Sequence, residues 1–131
     1  MRIQTVTGGM LPTHCYLLTD EETGVSAVID PGFLDSELFD SVKMLGKVDK
    51  ILLTHGHFDH AGAAKTLAAQ YDILVYAHEK EAETLEDSRM NLSGPLAGGA
   101  TTYHADVFLK DEQELTLAGL HMRVLFTPGH T

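Results

Sequence analysis

The stretch 50-KILLTHGHFDHAGAAKTLA-68 places His55, His57, Asp59 and His60 directly after an apolar run and directly before an Ala-rich one. Ile51-Leu52-Leu53 belongs to a short apolar segment, Val48–Thr54, that reads as a buried strand. The residues after it read as a helix over 59–71, with Ala64, Leu67, Ala68 and Tyr71 on one face. Alternate residues of an extended chain share a face, so His55 and His57 point the same way if the strand conformation outlasts Thr54. Gly56 between them suits a tight backbone path. Asp59 falls at the helix start, where a carboxylate can also cap free N–H groups, and His60 follows in the first turn. Imidazole is a favoured zinc ligand, and carboxylate completes many catalytic sites. The plain alternative is a polar loop with surface histidines, but it does not account for three imidazoles and a carboxylate packed into one strand-to-helix junction.

A second patterned histidine lies in 127-TPGHT-131, after the apolar residues Val124-Leu125-Phe126. Pro-Gly is a turn signal that would hold His130 at the mouth of that strand. A metal site assembled from several loops needs such a ligand.

Outward from these motifs, three strands open the chain. Arg2–Thr7 ends in Gly8-Gly9, His14–Thr19 follows Pro12, and Val25–Ile29 follows the turn 20-DEETG-24. The spacing of Leu38, Val42 and Leu45 predicts a helix over 35–45, capped by Asp35 or Ser36 and stopped by Gly46. Ile73–Ala77 reads as a strand and Glu79–Glu86 as a short acidic helix with a solvated face. The stretch 88-SRMNLSGPLAGGATTY-103 has no usable period, and so long a loop is expected to be functional or mobile, with 90–93 a candidate lid. Val107–Leu109, Glu114–Leu117 and Met122–Thr127 close the chain as strands. Strands alternating with helices, and hairpin-linked strands at both ends, give an α/β class with a mixed sheet.

The 131 residues are enough for one domain, and 44% hydrophobic with 21% charged residues is a globular composition. No apolar run approaches a membrane span, and the first ten residues carry no apolar signal core, so the expected compartment is the cytoplasm. The net charge of −10 argues against phosphate-backbone binding, so nucleic acid is not an expected partner, nor is a membrane. The single cysteine, Cys15, sits among apolar residues and is expected to be a small buried hydrophobe. His14 and His121 in strand patterns and His78 at a helix start are read as structural. His104, beside Tyr103, is the one further histidine with a candidate substrate contact.

The residues 54-THGHFDHAGA-63, 28-VIDPG-32 and 127-TPGHT-131, with weaker matches in 13-THCYLL-18 and 106-DVFLKDEQELTLAG-119, resemble the metallo-β-lactamase-fold hydrolases, most closely the small glyoxalase II-like members. In 13–18 relatives usually carry Asn where this chain has His14. The resemblance implies the N-terminal half of an αββα sandwich, with 1–131 a single domain incomplete at its C-terminus. It implies that His55, His57 and His130 bind a first metal, that Asp59 and His60 contribute to a second, and that Asp30 supports the site without binding metal. Two Zn2+ ions are the implied cofactors, with Fe or Mn as alternatives, sharing a hydroxide that attacks a small-molecule ester, thioester, lactone or amide. Asp59 is then the catalytic residue, orienting the nucleophile or accepting its proton.

The family's later metal-bridging aspartate and last metal-binding histidine have no counterpart up to Thr131. Nor does the helical extension with which glyoxalase II enzymes hold glutathione. The expectation is therefore a half-domain that, alone, exposes an apolar sheet face and is oligomeric, aggregated or partly folded, with negligible turnover. An iron-dependent sulfur dioxygenase of the same fold is the first alternative. The second is an inactive metal-binding half-domain completed by another chain.

Overall fold

Strands β1 (Arg2–Gly8), β2 (Thr13–Thr19) and β3 (Val25–Ile29) follow one another through short turns and pair antiparallel. From β3 onward, helices or long connections carry the chain back, and β4 (Lys47–Leu52), β5 (Leu74–His78) and β6 (Val107–Leu109) add in parallel. The computed structural model, which describes residues 1–131, thus has a six-stranded mixed sheet in the order β1 to β6, as the α/β reading predicts.

Helix α1 (Ser36–Lys43) starts where Asp35 accepts hydrogen bonds from the N–H groups of Glu37 and Leu38. Its Leu38 and Val42 pack with Cys15, Leu17, Val28 and Ile51 of the sheet in the main core. The helix expected over 59–71 is in fact two, α2 (Phe58–Ala61) and α3 (Ala64–Tyr71). A tertiary contact interrupts it. The N–H of Ala63 donates to the carbonyl of Pro31 at 2.7 Å, and a Cβ on Gly62 would lie 2.4 Å from the carbonyl oxygen of Gly32. The acidic segment after β5 is a 3-10 turn, Glu79–Glu81, running into α4 (Ala82–Glu86).

The 88–103 stretch is tied down rather than free. It contains α5 (Ser93–Leu96), and Asn91 and Ser93 are fully buried. The Asn91 amide donates to the carbonyls of Leu85 and Thr101, and Ser93 and Thr101 exchange two hydrogen bonds. The carbonyl of Asn91 in turn accepts from Phe58 N–H at 2.8 Å, fastening the stretch to α2.

The opposite face of the sheet is partly covered. A hairpin of β7 (Glu114–Leu117) and β8 (Leu120–Arg123) forms a second, two-stranded sheet, and its Leu117 and Ala118 bury against Leu18 and Ala27. The strand expected over 122–127 ends at Arg123; Val124 still exchanges backbone hydrogen bonds with Glu112 and Gln113, but Glu112 takes a left-handed turn (φ 67°) and the ladder goes no further. Beyond it Leu125 and Phe126 are exposed. No helix of the chain is long and apolar enough to cross a membrane.

Gly32 sits where two backbones meet: a Cβ there would lie 1.6 Å from the carbonyl oxygen of Asp59. Gly32→Ala should therefore push α2 off the β3 loop and destabilise the fold by about 3 kcal/mol or more, the upper range for overpacking. Gly99→Ala, with nothing within 4 Å, is the control and should be near neutral. Denaturant unfolding of both variants checks this; equal midpoints would show that α2 does not need that close approach.

Candidate metal centre

The parallel strands β3, β4 and β5 end on one edge of the sheet, the usual place for a site in such a fold. Asp30 follows β3, the His55–His60 segment follows β4, and Glu81 follows β5. The antiparallel β2 begins at the same edge with Thr13.

Asp30 is 3% exposed and adopts a left-handed backbone (φ 54°), which an Asp tolerates better than most residues. Its Oδ1 accepts from Thr54 N–H at 2.7 Å, and its Oδ2 from Thr54 Oγ1 at 2.6 Å and His60 Nδ1 at 2.8 Å. The Thr54 hydroxyl proton is thereby used. Its oxygen must then accept from His55 Nδ1, 3.0 Å away, which leaves the lone pair of His55 on Nε2.

That Nε2 is buried and has no hydrogen-bond partner. Strand β4 ends at Leu52, so His55 and His57 converge through an irregular loop rather than along a strand. His57 is the N-cap of α2, and Asp59 lies in the first turn without capping it. The rings of His55, His57 and His130 form a near-equilateral triangle, with centroids 4.8, 4.6 and 4.7 Å apart. One nitrogen from each lies within 4.8 Å of the others. Donor atoms of Asp30, His55 and His60 come equally close, but Asp30 already accepts three hydrogen bonds. His60 Nε2 faces Asp59 Oδ2 at 3.5 Å, and that oxygen accepts from Thr13 Oγ1 at 3.0 Å.

Three converging imidazoles, one with a buried nitrogen that has no hydrogen-bond partner, fit a divalent cation. The Metallo-beta-lactamase superfamily model matches residues 8–131. The chain belongs to that superfamily.

Among its superfamily relatives, the chain is 35% identical over 125 residues to "Probable metallo-hydrolase YqgX" of Bacillus subtilis, covering 94% of this chain and 58% of that protein. It is 31% identical over 142 residues to the hydroxyacylglutathione hydrolase GloC of Haemophilus influenzae, covering 100% of this chain and 63% of the relative. Of solved metallo-beta-lactamase-fold structures, BLEG-1 B3 metallo-beta-lactamase superposes with a TM-score of 0.89 at 34% identity, over 99% of this chain and 63% of that one. TTHA1623 in a di-iron-bound form gives 0.74 at 31% identity, over 98% and 62%. The chain thus spans about three-fifths of the length of the proteins it matches.

Burial and neighbouring charges shift three of the site's histidines. Burial lowers His55 to about 4; the nearby rings of His60, His57 and His130 push the same way, and Asp30 opposes them. Burial likewise lowers His57, with His130 adding to it. For His60 burial also pushes downward, but the hydrogen bond and charge of Asp30 and the charge of Asp59 outweigh it, and the net direction is up. Burial, with the Asp30 charge adding, pushes the Cys15 thiol up to about 12, so it stays a protonated core side chain as expected.

The other histidines divide. His14 and His121 lie on strands but face outward. His104 is exposed, lies 3.9 Å from Asp106, and lines neither of the cavities described here. His78 stacks on Phe126 at 4.5 Å in the wall of a cavity of about 560 Å³ that also includes His55, Glu81 and His130. A second cavity, about 490 Å³, lies against Asp59 and is walled by Met10, Leu11, Leu34, Phe58 and Tyr103.

The solvated face expected for the run 79–87 needs correction at one residue. Glu81 is 8% exposed, and Gly56 N–H donates to its Oε2 at 3.1 Å. The signal was present in the helical spacing of Glu81 with the buried Leu85, which puts both on one face.

An unfolded His55 takes up a proton near pH 6.5, whereas the folded one resists until about 4. This group's contribution to the stability of the metal-free protein is therefore complete above about pH 6.5 and lost as pH falls towards 4. His57 adds in the same sense and His60 in the opposite one. Urea midpoints from pH 7.5 to 4 should decline, and His55→Asn should flatten the slope. An unchanged slope in the variant would contradict the assignment.

Proposed function

We propose that this chain carries the metal-binding part of a hydrolase site that cleaves a thioester or ester, of the hydroxyacylglutathione hydrolase type. The observation that carries the reading is the triangle of His55, His57 and His130 around an orphaned His55 Nε2, with Asp59 alongside. The likeness to the hydroxyacylglutathione hydrolase GloC supports the substrate class. His55, His57 and His130 would hold one ion, Asp59 and His60 would contribute to a second, and Asp30 would fix His60 and His55 from behind. Three imidazoles suit zinc. The di-iron form of TTHA1623 makes iron the competing occupant.

Such ions supply a water of lowered pKa and polarise the acyl carbonyl. The chain's own contribution is positional. Thr13 Oγ1 restrains Asp59 at Oδ2, and Asp59 Oδ1, which carries no hydrogen bond, is open to orient the attacking water and take its proton. The cavity beside Asp59 offers the acyl group a largely apolar, solvent-open wall, with Tyr103 in its lining. Asp59 and His60 would give a second ion two protein donors, and water, substrate or further protein donors would fill the rest of its shell.

Metal analysis tests the ligand set. His57→Ala should lose the first ion, whereas Asp59→Asn should keep it and lose the second. Equal zinc in His57→Ala and the unsubstituted protein would sink the assignment.

For activity, the metal-loaded complete polypeptide should hydrolyse S-lactoylglutathione or a chromogenic ester, and Asp59→Asn should lower kcat by about 100-fold or more. Oxygen uptake with glutathione persulfide, without hydrolysis, would instead establish a dioxygenase.

A further inference from the structure

The three imidazoles come from two segments far apart in sequence. His55 and His57 sit on the loop after β4, which is held by Asp30 and, through Phe58 N–H, by Asn91. His130 has no such support. It is exposed, follows Gly129 in a backbone conformation (φ 132°) that favours glycine, and lies seven residues beyond Arg123, where β8's pairing ends. Within residues 127–131 a single hydrogen bond reaches the rest of the protein: Thr131 Oγ1 donates to Glu81 Oε1 at 2.8 Å. The other oxygen of the same buried carboxylate accepts from the N–H of Gly56, the residue between His55 and His57. Gly56 is itself pressed on α4, where an added Cβ would lie 3.1 Å from Thr84 and Leu85.

We propose that Glu81 is the positioning residue that assembles the three-imidazole site, one oxygen holding the His55–His57 loop and the other holding the segment that presents His130. This rests on the metal-site reading above. The physical case is preorganisation. Without the Glu81–Thr131 bond, His130 must be ordered at the moment the ion binds, and that entropy is subtracted from affinity. Groups that orient ligands in this way commonly change metal affinity by about 10–100-fold. A buried carboxylate also costs desolvation unless its oxygens are satisfied, and here each accepts a hydrogen bond from a ligand-bearing segment.

Zinc affinity, measured by competition with a chromophoric chelator, tests the proposal. Glu81→Ala should bind zinc about 10–100-fold more weakly at unchanged saturating stoichiometry. Thr131→Val, which replaces the hydroxyl bonded to Glu81 by a methyl and leaves the Gly56 contact, should weaken binding in the same direction, and Thr131→Ser should restore it. Because Glu81 acts on His130 through Thr131, the Thr131→Val effect should vanish in a His130→Ala background. Wild-type affinity in Thr131→Val, or an effect that persists without His130, would overturn the role of Glu81. If neither the unsubstituted protein nor any variant binds zinc or iron, the metal-site reading falls and this proposal with it.

Discussion

The carboxylate of Asp30 lies at the end of β3, almost without solvent, and is stabilised there by three hydrogen bonds from Thr54 and His60. An unpaired buried carboxylate would be costly, so the loop after β4 must take the one path that brings Thr54 N–H, Thr54 Oγ1 and His60 Nδ1 to it. Two consequences follow. Thr54 accepts from His55 Nδ1, which turns the His55 Nε2 lone pair inward, and His60 is left with Nε2 facing Asp59. One buried charge thereby sets the tautomers of two candidate ligands.

The fold supplies the rest of the convergence. Parallel strands deliver the loops after β3, β4 and β5 to one edge, and the antiparallel β2 begins there with Thr13 against Asp59. The backbone contacts that compress this edge leave no room for side chains, as at Gly32 on Asp59 and Gly62 on Gly32. The candidate metal centre therefore rests on close backbone packing immediately beside His60.

Much of this was legible in the sequence because the signals are local. The change of period at Thr54, the turn at 20–24, the Asp35 cap and the crowding of His55, His57, Asp59 and His60 each lie within a few residues, and the alternation of elements gives the mixed α/β class. The features that were not legible are set by distant partners. Helix 59–71 breaks because Pro31 and Gly32 lie against Gly62 and Ala63. The 88–103 stretch is fixed because Asn91 and Ser93 find Thr101. The burial of Glu81 is hinted at by its spacing with Leu85, but its partner Gly56, 25 residues upstream, is not. The apolar run Val124–Phe126 reads as a strand, yet only Val124 pairs, because the partner backbone turns away at Glu112.

The central claim is that three imidazoles from two segments close on one ion. X-ray absorption at the zinc edge, on protein loaded with one equivalent of zinc, tests it most directly. The account predicts three imidazole nitrogens at about 2.0–2.1 Å and no sulfur. Fewer than three imidazoles, or a thiolate at about 2.3 Å that only Cys15 could supply, would contradict it.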